Sequence, residues 1–333
     1  MATMNRQLRL QSRPKGLLAP GDLQLVESPL PELQDGQALA QVKYLSIDPT
    51  MRIWMAMDSY LPAVAIGDVM RSGGFAEIVE SRHPDYKKGD RITGLTGLQN
   101  YLIIDASGGK FFQKVPKIPF VSDTIFLGVL GMNGLTAYFG MEIAQPKKGE
   151  TLVVSAAAGA TGSVVGQIGK IHGCRVVGIA GTDEKCNWLT KDLGFDAAIN
   201  YKLPDWKQKL AAAVPNGIDI DFENVGGEIM QTVLGLMNLH GRVVVCGLIS
   251  GYNKEDPALA SLAQVLVKRL RVEGFIILDY VPRFMEAAKQ LGQWKMFGKI
   301  KDRETIVEGL EKAPDAINML FTGGNTGKLI VKV

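Results

Sequence analysis

Residues 153–170 read VVSAAAGATGSVVGQIGK: an apolar start, a run of small residues, then a segment with helical character. That order fits strand, tight turn, helix. Gly159 and Gly162 stand at the second and third glycine positions of the G-x-G-x-x-G dinucleotide fingerprint, with Ala157 at the first. Gly159 lets a backbone approach a pyrophosphate, whose charge the unpaired N–H groups of a helix N-terminus stabilise. Gly162 and Gly166 let the helix pack close to the sheet, and Ala costs little at the first position where φ is negative. Taken alone, the motif also fits a turn built only for packing.

The surrounding pattern decides between these readings. From Thr151 onward, strand candidates TLVVS, RVVGIA, AAIN, IDIDF, RVVVCG and RVEGFII alternate with helix candidates over 163–172, 183–193, 204–214 and 227–239. Gly173, Gly194 and Gly241 fall just past predicted helix ends. Six strands with helical crossovers form two βαβαβ halves, a doubly wound parallel sheet. Before this region, about 120 residues read as short strands broken by Gly, Pro and Asp, among them QALAQVKYLSI, GGFAEIVES, GDRITGL and QNYLII. They predict a mostly β unit. The closing TGKLIVKV is again strand-like, falls outside the six-strand count and is assigned back to that first unit.

A chain of 333 residues suits two domains. With 46% hydrophobic and 21% charged residues it reads as a soluble globular protein. Its net charge of +3 excludes nucleic-acid and anionic-membrane partners from the expectation. The opening MATMNRQLRLQSRPKG lacks the apolar core of a signal peptide. No uninterrupted apolar run approaches the roughly 18 residues of a membrane span. Cys174, Cys186 and Cys246 are too scattered for a disulfide framework, so a cytoplasmic location is expected.

The end of the second strand bears on the nucleotide. An NAD-binding chain places Asp or Glu there for the ribose 2′-hydroxyl. RVVGIAGTDEK instead puts Ala180 and Gly181 at that point, leaving room for a phosphate, with Lys185 following and Tyr201 after the next strand. NADP is expected; the alternative leaves Lys185 solvated and gives Asp183 the ribose.

Read together, these residues resemble the medium-chain dehydrogenase/reductase superfamily. The similarity is to its zinc-free branch of leukotriene/prostaglandin reductases, plant alkenal double-bond reductases and bacterial curcumin-reductase-like enzymes. The motifs that carry it are SIDPTMR (46–52), VMRSGGFAEIVESRHPDYKKGDRI (69–92), LGMNGLTAYFG (130–140), AAAGATGSVVGQIGK (156–170), FENVGG (222–227), VVCGLISGYN (244–253) and GKIKDRETIVEGLEKAPDA (298–316). The resemblance implies an α/β fold: a GroES-like, mostly-β catalytic domain over 1–125, completed by 300–333, and an NADP-binding Rossmann domain over 126–299. It implies a homodimer. It places NADP(H) contacts on Met132, Thr136, Gly159, Ala160, Thr161, Gly162, Lys185, Tyr201, Asn224, Cys246, Gly247, Tyr252, Phe275, Ile276, Ile277 and Asn325. Asn133, Thr50 and Gly251 depart from the family's usual residues; they border the substrate side, so substrate identity does not follow.

Zinc is not expected. Three converging Cys, His or carboxylate ligands are needed; the only histidines are His83, His172 and His240, in no ligand spacing, and Ser46 stands where a zinc relative carries its first Cys. Without that Lewis acid, a simple ketone is a poor substrate and an activated alkene a better one. Hydride reaches the β-carbon of an enone or enal, charge develops on the carbonyl oxygen, and a donor there stabilises it. Tyr252, just past RVVVCG, is the catalytic candidate, a neutral phenol donor at pH 7; the alternative is a plain loop aromatic. Asp48 and Arg52 read as a structural ion pair or helix cap, and Cys246 as a small strand-end residue, not a nucleophile. Tyr44, Trp54, Tyr60 and Tyr280 line the substrate cleft or pack in the core. Three functions compete: an NADPH-dependent reductase of α,β-unsaturated carbonyls, a quinone reductase, and a catalytically silent NADPH-binding protein.

Overall fold

The computed structural model describes residues 3–105, 112–254 and 261–333. The chain divides into two compact units, Met1–Leu127 with Glu304–Val333, and Gly128–Arg303.

In the first unit β1 (Met4–Leu10) and β2 (Leu23–Pro29) pair antiparallel. A larger sheet follows from β3 (Ala38–Ile47), β4 (Gly74–Ser81), β5 (Arg91–Gly94), β6 (Tyr101–Ile104) and β7 (Phe112–Lys114), with the short helix α1 (Met51–Ala56) after β3. Alternating burial along the first half of β3 is the period of a strand with one face in a core. The chain returns to this sheet at its end: β14 (Glu304–Glu308), α9 (Ala313–Thr322) and β15 (Lys328–Lys332). TGKLIVKV supplies β15, which pairs antiparallel with β3, Leu329 opposite Ile47. The order is β14-β15-β3-β4-β5-β7, with β6 also on β3. Leu45, Ile78, Ile317 and Leu329 share one buried cluster, so residues remote in sequence close one core.

The second unit opens with α2 (Met132–Ala144) and alternates β8 (Thr151–Val154), α3 (Ala160–Ile171), β9 (Arg175–Ala180), α4 (Asp183–Lys191), β10 (Ala197–Asn200), α5 (Trp206–Ala213), β11 (Ile218–Glu223), α6 (Gly227–Leu236), β12 (Met237–Val245), α7 (Ala263–Lys268), β13 (Arg271–Gly274) and α8 (Phe284–Met296). All six strands run parallel in the order β10-β9-β8-β11-β12-β13. This is the doubly wound order of a Rossmann sheet, whose direction of growth reverses between β8 and β11.

Several boundaries differ from expectation. Helix α3 starts at Ala160, three residues early, because Gly159 already takes the extended conformation of an N-cap. Helices α4 and α5 are shorter than predicted. Gly241 ends no helix: α6 stops at Leu236, and Gly241 lies inside β12. The strand bulges there, with His240 at φ 60° and a register shift against β11. A Cβ on Gly241 would come within 2.6 Å of the Met237 Cε, so a side chain there would displace the end of Met237. Strand β13 ends at Gly274 rather than continuing through RVEGFII, because Ile277–Arg283 winds into a 3₁₀ helix.

Candidate functional site

The turn after β8 is built from what its residues lack. A Cβ on Gly162 would lie 2.6 Å from the Ala156 carbonyl oxygen and 2.9 Å from the Ala157 Cα, so no side chain fits there. The left-handed position is Ala156, at φ 47°, one residue before the expected first glycine. Ala157 is fully buried, and its N–H donates to the Ile179 carbonyl at 3.0 Å. Its methyl sits 2.9 Å from where a Cβ on Gly178 would be, filling the space over β9. That packing is why alanine stands in the first fingerprint position. Gly162 serves the turn itself, whereas Gly166 admits the Phe195 ring, 1.9 Å from where its own Cβ would stand. No side chain caps the N-terminus of α3, and its first turn carries no acidic residue.

At the end of β9, Ala180 is buried and Gly181 half-buried. Thr182 caps α4 by accepting from the Lys185 N–H. The Tyr201 N–H donates to the Ala180 carbonyl at 3.0 Å, which lays the end of β10 against the end of β9. A Cβ on Gly181 would meet the Tyr201 ring at 3.2 Å and the Lys202 Cε at 3.5 Å. The Lys185 ammonium is held below the usual lysine range by burial and by the Lys202 charge. Asp183, the alternative ribose partner, accepts a hydrogen bond from Asn200 at 2.8 Å.

The switch point between β8 and β11 is organised by a carboxylate. Glu223 is fully buried; its Oε1 accepts from the Ser155 hydroxyl at 2.6 Å, from the Gly226 N–H at 2.9 Å and from the Val225 N–H. The Asn224 N–H donates to the Ser155 hydroxyl, and its side chain donates to the Ser155 carbonyl, each at 2.7 Å. The Cys246 and Gly247 N–H groups donate to the Glu223 carbonyl, tying β12 to β11. Beyond them, the Tyr252 hydroxyl accepts from the Leu248 N–H at 3.2 Å and lies 3.1 Å from where a Cβ on Gly247 would be.

Met132 and Thr136 lie in the first turns of α2, exposed and half-buried. Asn133 between them donates to the Thr161 hydroxyl at 3.5 Å, linking the α2 and α3 N-termini. Phe275, Ile276 and Ile277 follow the end of β13. The topology therefore places Gly159–Gly162, Lys185, Tyr201, Asn224, Cys246, Gly247, Tyr252 and Phe275–Ile277 at the carboxyl edge of one parallel sheet, the edge where such sheets bind ligands. Asn325 belongs to the other unit, in the turn before β15, donating to the Gly327 carbonyl at 3.1 Å.

The motif SIDPTMR forms a different network from the expected one. Asp48 pairs with the buried Lys328 at 2.8 Å and accepts from Ser46, while Arg52 donates to the carbonyls of Gly16 and Pro14. The N-cap of α1 is Thr50, with no side-chain cap bond, so neither residue caps it. A lysine 280 positions away answers Asp48 because β15 lies beside β3. The Thr50 and Tyr60 hydroxyls are 2.6 Å apart, and Trp54 stands edge-on to Tyr60. Tyr280 stacks on Phe139 and Tyr44 tilts against Phe75. Among the described residues, no three His, Cys, Asp or Glu side chains come together as a metal site. Sequence reasoning passed over Ser155, Glu223 and Lys202; an acidic residue inside an apolar strand end is the signal that marks Glu223.

Two family models match the chain: "N-terminal domain of oxidoreductase" over residues 6–113 and "Zinc-binding dehydrogenase" over residues 160–293. The chain is 46% identical to the NADPH-dependent curcumin reductase of Escherichia coli, over 99% of this chain and 97% of that one. It is 40% identical to the 2-alkenal reductase (NADP(+)-dependent) of Nicotiana tabacum, again over 99% and 97%. The crystal structure of CurA from Vibrio vulnificus in complex with NADPH superposes with a TM-score of 0.93 at 43% identity, covering 98% of this chain and 99% of that one.

Proposed function

The chain belongs to the zinc-independent, alkenal-reductase branch of the medium-chain dehydrogenase/reductase family, and from that premise we propose that it reduces the carbon–carbon double bond of α,β-unsaturated ketones and aldehydes with NADPH. The observation that carries this reading is the Tyr252 hydroxyl, held by the Leu248 N–H against Gly247 at the carboxyl edge of the Rossmann sheet.

The residues fit the cofactor. The turn at Gly162 admits no side chain, and α3 presents an N-terminus without a side-chain cap, the arrangement that receives a pyrophosphate. Gly181 carries no side chain, and the Tyr201 ring and the Lys202 stem border the place where an NAD-specific acid would project. Gly159–Gly162 would hold the pyrophosphate, and Lys185 and Tyr201 the 2′-phosphate. Met132, Thr136, Asn224, Cys246, Gly247 and Phe275–Ile277 would complete the contacts. When bound, the reduced nicotinamide supplies a hydride to the β-carbon of the substrate.

Tyr252 does the work on the oxygen. Its phenol donates to the substrate carbonyl, and that bond strengthens as negative charge develops, which is differential stabilisation of the transition state. The Leu248 N–H, donating into the phenol oxygen, makes the phenolic proton a better donor. Met132, Thr136 and Asn224 position, and no metal ligand set is required. The protein acts in the cytoplasm and works as a homodimer.

Replacing Tyr252 by Phe keeps the ring and removes the hydroxyl. The expected kcat loss is about 10–100-fold, below the roughly 10²–10³ of a lone oxyanion donor, because a hydroxyl of the bound nicotinamide ribose would supply a second one. A proton then adds to the α-carbon of the enolate, and the product is the saturated ketone or aldehyde. Wild-type kcat in the variant removes Tyr252 from the mechanism, and allylic alcohol as the main product overturns the reaction class. Activity with quinones alone would favour the quinone-reductase reading.

A further inference from the structure

We infer that Lys202 is a second cation for the 2′-phosphate of NADPH and, facing Lys185 across Gly181, sets the preference for NADPH over NADH. This rests on the placement of the 2′-phosphate at Lys185 proposed above.

The geometry starts from two backbone bonds. The Tyr201 N–H donates to the Ala180 carbonyl at 3.0 Å, and the Lys202 N–H donates to the Asn200 Oδ1 at 3.1 Å. Residues 200–202 are thereby held over the end of β9, and the lysine stem runs past Gly181. Its Cε, one bond from the ammonium, lies 3.5 Å from where a Cβ on Gly181 would stand, and the Tyr201 hydroxyl oxygen lies at 3.4 Å. An NAD-specific carboxylate from position 181 would project into this same space. Here it is bordered by a phenol and a lysine stem.

Lysines and carboxylates both lie near this space. The first turn of α4 carries two carboxylates, and both have partners: Asp183 accepts from Asn200 at 2.8 Å, and Glu184 lies 3.9 Å from an Arg303 nitrogen. Arg303 in turn sits over the Trp188 ring. Of the charges acting on Lys185, the Lys202 ammonium outweighs Glu184, and together with burial it lowers the Lys185 pKa. The Lys202 ammonium disfavours the charge on Lys185, which costs free energy in the protein alone. A phosphate monoester, carrying close to two negative charges at pH 7, reverses that cost by attracting both. A ribose hydroxyl does not. The discrimination therefore falls on the phosphate and not on the rest of the nucleotide.

The test measures dissociation constants directly, by calorimetry or by nicotinamide fluorescence, for NADPH and NADH with the wild type, Lys202→Ala and Lys185→Ala. The Lys202 side chain is exposed, so its loss leaves the fold intact, and unchanged NADH binding verifies that. Lys202→Ala is expected to weaken NADPH binding about five-fold, as fits one solvent-screened charge-assisted contact, with NADH within about two-fold of wild type. The slope of log Kd against log salt for NADPH should also become shallower. A change of less than about two-fold for NADPH, or an equal loss for NADH, overturns the role of Lys202. If Lys185→Ala is selective for NADPH while Lys202→Ala is not, only this inference fails. If neither is selective, the phosphate lies elsewhere and the underlying placement fails with it.

Discussion

Burial and the nearby Glu223 charge push the Cys246 thiol up to about 12, and burial pushes Cys174 and Cys186 up to about 11. At neutral pH all three are protonated thiols and poor nucleophiles. The folded protein should therefore alkylate slowly with iodoacetamide at pH 7.5, and Cys246→Ala should keep kcat within about three-fold, since only the Cys246 backbone is tied to β11. Fast, activity-abolishing labelling of Cys246 would contradict this. Tyr252 differs from Cys246 in having a hydroxyl that a backbone N–H orients. Ala157 and Gly162 make the same point in apolar terms: the first fills a space over β9, and the second leaves none for a Cβ.

Strand β11 carries three carboxyls on one face, Asp219, Asp221 and Glu223, and the last two are fully buried. Glu223 is answered by Ser155 and two backbone N–H groups. Among the described residues neither Asp221 oxygen has a hydrogen-bond partner, and its neighbours across the sheet are Val153 and Val243. Burial, and after it the Glu223 charge, hold the Asp221 carboxyl well above the usual range. The folded state then binds this proton more tightly than the unfolded chain, so its contribution is fully present below the unfolded value of about 3.9 and is lost as pH rises toward the folded value. Asp221→Asn removes the charge and nearly nothing else. The variant should melt at the same temperature as wild type near pH 4 and several degrees higher near pH 8, about 2–4 °C for each kcal/mol in a domain of this size. A variant that melts lower at pH 8 would show that Asp221 has a role its surroundings do not account for.

At the scale of the molecule, β13 is the last strand of the Rossmann sheet and all four of its residues are exposed. Beside it, Leu262 and Leu266 are 74% and 78% exposed, and Val267 and Val272 also face outward. An exposed strand edge flanked by apolar residues invites pairing with another chain, and a two-fold axis satisfies both edges at once. A homodimer through this edge would extend one six-stranded sheet into its partner. In sedimentation the wild type is expected at twice the mass of the chain, and Leu266→Asp at the mass of one chain. A wild type that sediments as a single chain at micromolar concentration removes the dimer.

The six-strand alternation, the turn between β8 and α3 and the place of Tyr252 were legible in the sequence because each is local. Periodicity, small residues in a turn and residues just past a strand end depend on neighbours a few positions away. TGKLIVKV could be recognised as a strand for the same reason, and elimination returned it to the first unit, but its pairing with β3 was not legible. The bulge at Gly241 and the early end of β13 were hidden, since each depends on packing from other segments. The partner of Asp48 lies 280 positions away, Lys202 reaches Gly181 only because β10 lies beside β9, and Glu223 finds Ser155 across the switch point. Buried charges must be answered by whatever the fold brings near them, and which residue that is depends on strand order, which no local pattern encodes.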